Sequence, residues 1–187
     1  WKKQYLLPII GIGLNLLKSI RNYSMSINSN KNKKFLQAGV IGLGVGEQHI
    51  YGFNSHPNCK VTKICDIDKN KLLDVYSRHK DCYPTTNPTE IIKDSNIDIV
   101  SIASFDDCHS QQILEALDNN KHVFVEKPMC LLRNEYEDIA KKLKSKPNLS
   151  LSSNLILRKA NRFKNLKERI SKGELGLPYL YEASYDY

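Results

Sequence analysis

The stretch GVIGLGVGEQH, Gly39 to His49, carries a short apolar strand into a glycine-rich turn and on into a helix. That order decides the fold, because a glycine string gains meaning only between a strand and a helix. Gly42 makes the tight turn, Gly44 lets a pyrophosphate approach the backbone, and the amides of Val45 and Gly46 at the helix start face its charge. The Rossmann string GxGxxG would set its third glycine at position 47, where this chain has Glu47 and offers Gly46 one residue early. Glu47 is expected to point into solvent, since an acid in a first helical turn is favourable. A second pair, Gly11 and Gly13, follows Pro8 and has no acidic strand end after it, so it reads as coincidence.

Outward from that turn, short apolar runs alternate with helix-like stretches from Phe35 onward, the signature of βα units wound into a parallel sheet. The predicted strands are Leu36 to Gly42, Lys60 to Asp66, a weak one near Cys82 and Tyr83, Ile97 to Ala103 and His122 to Glu126. Helices are predicted over Glu47 to Ser55, Lys69 to His79, Thr89 to Lys93 and Ser110 to Leu117. In the last of these, Ile113, Leu114 and Leu117 share one face at the 3.6 period. The expected fold class is therefore α/β, a Rossmann-type doubly wound parallel sheet over residues 35–128. Pro128 is expected to mark its end, with residues 129–187 beginning a second, truncated α/β domain. There the pattern predicts a helix from Arg133 to Lys144, a strand near Leu149 to Leu155, a helix from Asn161 to Lys172 and an alternating strand from Tyr179 to Tyr187.

Asp66 closes the second strand, 24 residues after Gly42. A carboxylate there accepts hydrogen bonds from the adenosine ribose hydroxyls and repels a 2′-phosphate, so NAD is expected over NADP. Asp68 reads as the cap of the next helix. A GxGxG turn with an acid ending the second strand also describes nucleoside binding by S-adenosylmethionine-dependent methyltransferases. Those proteins usually carry an acid just before the first glycine, whereas Val40 and Ile41 stand there.

Composition narrows the function classes. With 41% hydrophobic and 26% charged residues among 187, the chain is globular, and disorder, collagen and disulfide scaffolds are excluded. The formal charge of +8 is concentrated in residues 1–34, which hold seven basic groups and no acid. From Phe35 onward 21 basic residues meet 20 acidic ones. A nucleic-acid partner is not expected, because it would need a basic face on that folded body. Cys59, Cys65, Cys82, Cys108 and Cys130 lack the CxxC pairs of a zinc site. They read as reduced thiols of a cytoplasmic protein, with no metal.

The apolar run Tyr5 to Leu17 is interrupted by Pro8, Gly11, Gly13 and Asn15. It also falls short of the ~20 residues a bilayer span requires, so no membrane association is expected. Residues 1–34 are expected to lie outside the domain, as a tail or as upstream translation with Met25 the natural start. An acid-free organellar transit peptide is the rival reading.

The fifth strand runs straight into Glu126-Lys127-Pro128. Ligands of open α/β sheets sit at the carboxyl ends of strands, so the Gly42 turn and Lys127 are expected to crown neighbouring strands and face a common crevice, with Lys127 beside the nicotinamide end of a cofactor held by that turn. An ammonium that is buried or flanked by cations loses proton affinity, which suits a lysine there to carry a proton.

With these motifs in place, residues 35–187 resemble the glucose-fructose oxidoreductase, inositol dehydrogenase and rhizopine-catabolism (Gfo/Idh/MocA) family. The resemblance rests on GVIGLGVGEQH, ICDID (Ile64 to Asp68), SIASFDDCH (Ser101 to His109), VEKP (Val125 to Pro128), NLILR (Asn154 to Arg158) and KGELG (Lys172 to Gly176). It implies an N-terminal Rossmann domain and a C-terminal α/β domain whose open sheet serves substrate and oligomer contacts. The implied activity is NAD(P)-linked oxidation or reduction of a sugar, cyclitol or similar polyol.

By the same resemblance Lys127 works against cofactor ribose and substrate hydroxyl, Glu126 and His109 belong to the cofactor site, and Asn154 and Arg158 touch substrate. Ser104 and Phe105 stand where relatives often have a Thr-Pro step, so the loop over the nicotinamide differs in shape. The family also implies an Asp and a His on a helix of the second domain, beyond where this chain stops. A homo-oligomer through the second domain's sheet is implied for the full-length form. A non-catalytic dinucleotide-binding module stays open as a second class of function.

Overall fold

The structure, a computed structural model, describes residues 35–184. The lead over residues 1–34, Met25 within it and residues 185–187 lie outside the described residues. Six strands form one sheet: β1 (Leu36–Ile41), β2 (Cys59–Cys65), β3 (Tyr83–Thr85), β4 (Ile99–Ile102), β5 (His122–Val125) and β6 (Leu151–Ser153). Their order across the sheet is β3-β2-β1-β4-β5-β6, and every pair is parallel. The helices are α1 (Gly46–Asn54), α2 (Lys69–Arg78), α3 (Thr89–Ile92), α4 (His109–Asp118), α5 (Arg133–Ser145) and α6 (Asn161–Ser171).

The strands are short and continuously apolar because both faces are covered. On one face Ile50 and Phe53 of α1 and Leu72 and Val75 of α2 pack on Val40, Val61, Ile64, Ile99 and Phe124. On the other, Ile91 and Ile92 of α3, Ile113 and Leu117 of α4 and Ile139 of α5 cover Ile41, Val100, Ile102, Val123 and Val125. Each such side chain contributes roughly 1.5–3 kcal/mol on burial. Asp68 accepts from the amides of Asn70 and Lys71 at 2.8 and 3.3 Å and so caps α2 as the sequence predicts. The strand order reverses between β1 and β4, which opens a crevice at their carboxyl ends.

Two expectations are corrected. The sheet does not end at Pro128: β6 pairs with β5 from Val123 opposite Leu151 to Val125 opposite Ser153, and Ile139 and Leu143 of α5 pack with Ile113 and Leu117. The free edge of β5 and the apolar side of α4 both need covering, and α5 with β6 supplies it, so the first unit continues to Asn154. The strand expected over Tyr179 to Tyr187 is not formed among its described residues, 179–184. Tyr179 is 97% exposed, and alternation makes a strand only where another strand accepts its hydrogen-bond ladder.

Candidate functional site

The glycine turn is closed on its inner side and open on its outer side. Gly42 has φ +83°, a backbone region L side chains rarely adopt, and a Cβ there would run into the backbone of Ala103 at the end of β4. At Gly44 a Cβ would meet nothing within 4 Å. The backbone there can therefore be approached closely by a ligand, at the start of a helix whose first amides carry partial positive charge. Asp66 does more than end β2: its Oδ2 accepts from the Leu43 amide at 2.7 Å and its Oδ1 from the Asp68 amide at 2.9 Å. The carboxylate thereby ties the glycine turn to the end of the second strand, with lone pairs left for ribose hydroxyls. Glu47 is not free in solvent as expected. It accepts from Arg78 at 2.8 Å and lies 3.3 Å from His79 Nε2. The Arg78 hydrogen bond holds its carboxyl below the usual range against an opposing push from burial.

Lys127 emerges from β5 on the same rim as the glycine turn, since all the strands run parallel. β4 lies between β1 and β5, so two strand spacings, roughly 9–10 Å, separate the strand ends. The Lys127 side chain is exposed, and the Lys127-Pro128 peptide is cis. Behind it Glu126 is 8% exposed and bonded on every side. Its Oε1 accepts from Asn154 Nδ2 at 2.5 Å and lies 2.9 Å from His49 Nε2, while Oε2 accepts from the Lys127 amide at 3.2 Å. Burial, the largest influence, pushes the Glu126 carboxyl up. The His49 and Asn154 hydrogen bonds, the His49 charge and the Lys127 amide together outweigh it and hold the carboxyl below its usual value.

The loop after β4 supplies Ser104, whose Oγ donates to Gln112 Oε1 at 2.7 Å, and Phe105, 74% exposed on the rim. His109, fully buried, sits between the carbonyl oxygens of Pro128 at 2.7 Å and Ser104 at 3.1 Å. It therefore pins the loop after β4 to the loop after β5 from below the crevice. Asn154 follows β6 and is 1% exposed. Arg158 lies outside the sheet on a short 3₁₀ turn, Ile156–Lys159, and is exposed.

The structure thus brings Gly42, Gly44, Val45, Gly46, Asp66, Ser104, Glu126 and Lys127 to one rim, with His109 and Asn154 beneath it. Sequence reasoning missed His49. It stands two residues after Glu47 in the same quoted motif, and the signal was a polar residue on the buried side of α1. A groove lined by Phe35, Gln37, Asn54 and Cys59 opens at the opposite ends of the strands and holds none of these residues. Among the described residues no cluster of three His, Cys, Asp or Glu suits a metal, and no helix is long and apolar enough to cross a membrane.

Known proteins match this architecture. The model of a family described as an oxidoreductase family with an NAD-binding Rossmann fold, Gfo/Idh/MocA, matches residues 36–154. An uncharacterised oxidoreductase of Bacillus subtilis, YrbE, is 29% identical over 152 residues, covering 81% of this chain and 44% of that protein. The myo-inositol 2-dehydrogenase of Thermotoga maritima is 28% identical over 146 residues, covering 78% of this chain and 43% of that protein. A solved myo-inositol dehydrogenase from Lactobacillus casei, in complex with NAD(H) and myo-inositol, superposes with a TM-score of 0.70 at 28% identity. That match covers 77% of this chain and 43% of the solved one. The chain spans less than half the length of these relatives. With the family model running from β1 to Asn154, through the glycine turn and the Glu126-Lys127-Pro128 step, the chain belongs to the Gfo/Idh/MocA oxidoreductase family and carries its NAD-binding Rossmann domain.

Proposed function

We propose that this chain is the cofactor-binding part of a dehydrogenase that moves a hydride between NAD and a carbinol carbon of a cyclitol, sugar or similar polyol. The observation that carries the reading is the common rim: an open glycine turn and an exposed lysine at the carboxyl ends of two strands that flank β4. The turn from Gly42 to Gly46 fits a pyrophosphate, because Gly44 leaves the helix start bare. Asp66 holds the turn and meets the adenosine ribose, which favours NAD over NADP. Ser104 and His109 shape the floor beside the nicotinamide. NAD supplies the hydride acceptor. Lys127 holds or moves the proton at the substrate oxygen, Glu126 orients that step, and Arg158 faces substrate, whereas Asn154, expected to touch substrate, is buried and braces Glu126 from beneath. The inositol dehydrogenases among the relatives support the polyol class, and the proposed compartment is the reducing cytoplasm, which the five unpaired thiols suit.

The test is turnover by the natural full-length protein with NAD and a panel of cyclitols and sugars. Lys127→Ala is expected to lower kcat about 10²–10⁴-fold while NADH binding persists. Undiminished turnover in that variant would remove Lys127 from the chemistry. NADH binding with no turnover of any polyol would favour a non-catalytic dinucleotide module.

A further inference from the structure

Four elements send polar side chains to one buried point beneath Lys127. His49 comes from α1, Ser101 from β4, Glu126 from the end of β5 and Asn154 from the residue after β6. His49 Nδ1 lies 2.9 Å from Ser101 Oγ and Nε2 2.9 Å from Glu126 Oε1. Exposure is 1% for His49, 0% for Ser101 and 1% for Asn154. A serine, a histidine and a carboxylate in series have the composition of a hydrolytic triad, but Ser101 is enclosed in mid-strand where no substrate reaches it. Hydrogen bonding offsets the cost of burying polar groups so deep but gives little stability beyond what apolar side chains filling the same space would, which turns attention to what these bonds hold in place.

What they hold follows from the elements that carry them. α1 begins at the glycine turn, and His49 stands one turn into it. Glu126 leads directly into Lys127 and takes its amide. His49 is fixed at both ring nitrogens and lies edge-on to Phe124, 5.0 Å between centroids. Asn154 is the looser member, since its Oδ1 has no partner among the described residues. We infer that His49 is a positioning residue that locks the Glu126-Lys127 step to the phosphate-loop helix, so that Lys127 is aimed across the crevice only while the Ser101-His49-Glu126 chain is intact. The inference rests on the role proposed above for Lys127.

The groups facing the Glu126 carboxylate are His49 from α1, Asn154 from beyond β6 and the Lys127 backbone, and the titratable side chains among these three residues are His49 and Lys127. His49→Phe fills the space and keeps the contact with Phe124 but removes both hydrogen bonds. His49→Gln can keep one or both. In the cofactor-free protein, a carbon-13 NMR titration should find Glu126 ionising below an ordinary glutamate in wild type and higher than in wild type in His49→Phe. In the natural full-length protein, with NAD and myo-inositol, His49→Phe should lower kcat about 10- to 100-fold and move the acid limb of its pH profile upward. NADH affinity should change no more than about threefold, and His49→Gln should recover most of the loss.

A His49→Phe variant with wild-type titration and wild-type kcat, beside an impaired Lys127→Ala, overturns the inference alone. Equal impairment in both His49 variants does the same. A fully active Lys127→Ala overturns the inference together with the reading beneath it. Should His49→Phe fail to fold, Glu126→Gln takes its place: a similar loss of kcat with the acid limb erased supports the lock, and wild-type behaviour refutes it.

Discussion

Gly42 and Gly44 lie two residues apart, yet a methyl group would meet opposite surroundings at each. At Gly42 it meets the backbone of Ala103 at a positive φ; at Gly44 it meets open space. Gly42→Ala is therefore expected to destabilise the fold by at least about 1–2 kcal/mol, the penalty of left-handed backbone for an L residue alone. Gly44→Ala should melt as wild type does but bind NADH more weakly, and thermal melts beside NADH titrations separate the two. Glu126 makes the stability depend on pH. Its folded carboxyl ionises below its ordinary value, so its contribution is present above the unfolded pKa, about 4.3, and lost as pH falls through the folded one. The stability gap between wild type and Glu126→Gln should be widest near neutral pH and shrink below about pH 4. Residue identity made the glycines, Asp66 and Lys127 legible from sequence. His49 was not, because a polar residue on the buried side of a helix does not name its partner until the strand residue opposite it is known to be Ser101.

Among the elements, the first five strands and their helices could be read from sequence to within a few residues. β-branched runs bounded by glycine, proline or acid leave little choice of state. The sixth strand was read as a strand but assigned to the wrong unit. Its three residues carry no mark of which edge they join, whereas the proline at 128 looks like a boundary. Only the pairing of Val125 with Ser153 and the seating of α5 on α4 decide it. A chain cut after Pro128 is thus expected to expose the edge of β5 and the apolar side of α4, and to aggregate or remain partly unfolded. A chain continued to Ala160 should unfold in one cooperative transition, as circular dichroism and calorimetry would record. The run from Tyr179 failed for the complementary reason. Period two names a face, and without a neighbouring strand it names nothing more.

For the molecule as a whole, the reversal of strand order between β1 and β4 matters more than any one motif, since it opens the crevice that makes the glycine turn and Lys127 neighbours across space. The sequence alone sets the two on neighbouring strands, and the structure corrects it: β4 stands between β1 and β5, because strand order depends on crossover direction, which spacing along the chain does not record. The +8 charge offered no rival site, as the body from Phe35 carries 21 basic against 20 acidic residues. The Asp66 carboxylate has a further consequence. Because it fastens Leu43 and Asp68 and is the residue proposed to meet the ribose, coenzyme choice and loop integrity would share one anchor. Redesign toward the phosphorylated coenzyme by Asp66→Ala should first slacken the turn, costing affinity for both coenzymes. Any route to altered preference must give the Leu43 amide a new acceptor before a new phosphate is welcomed.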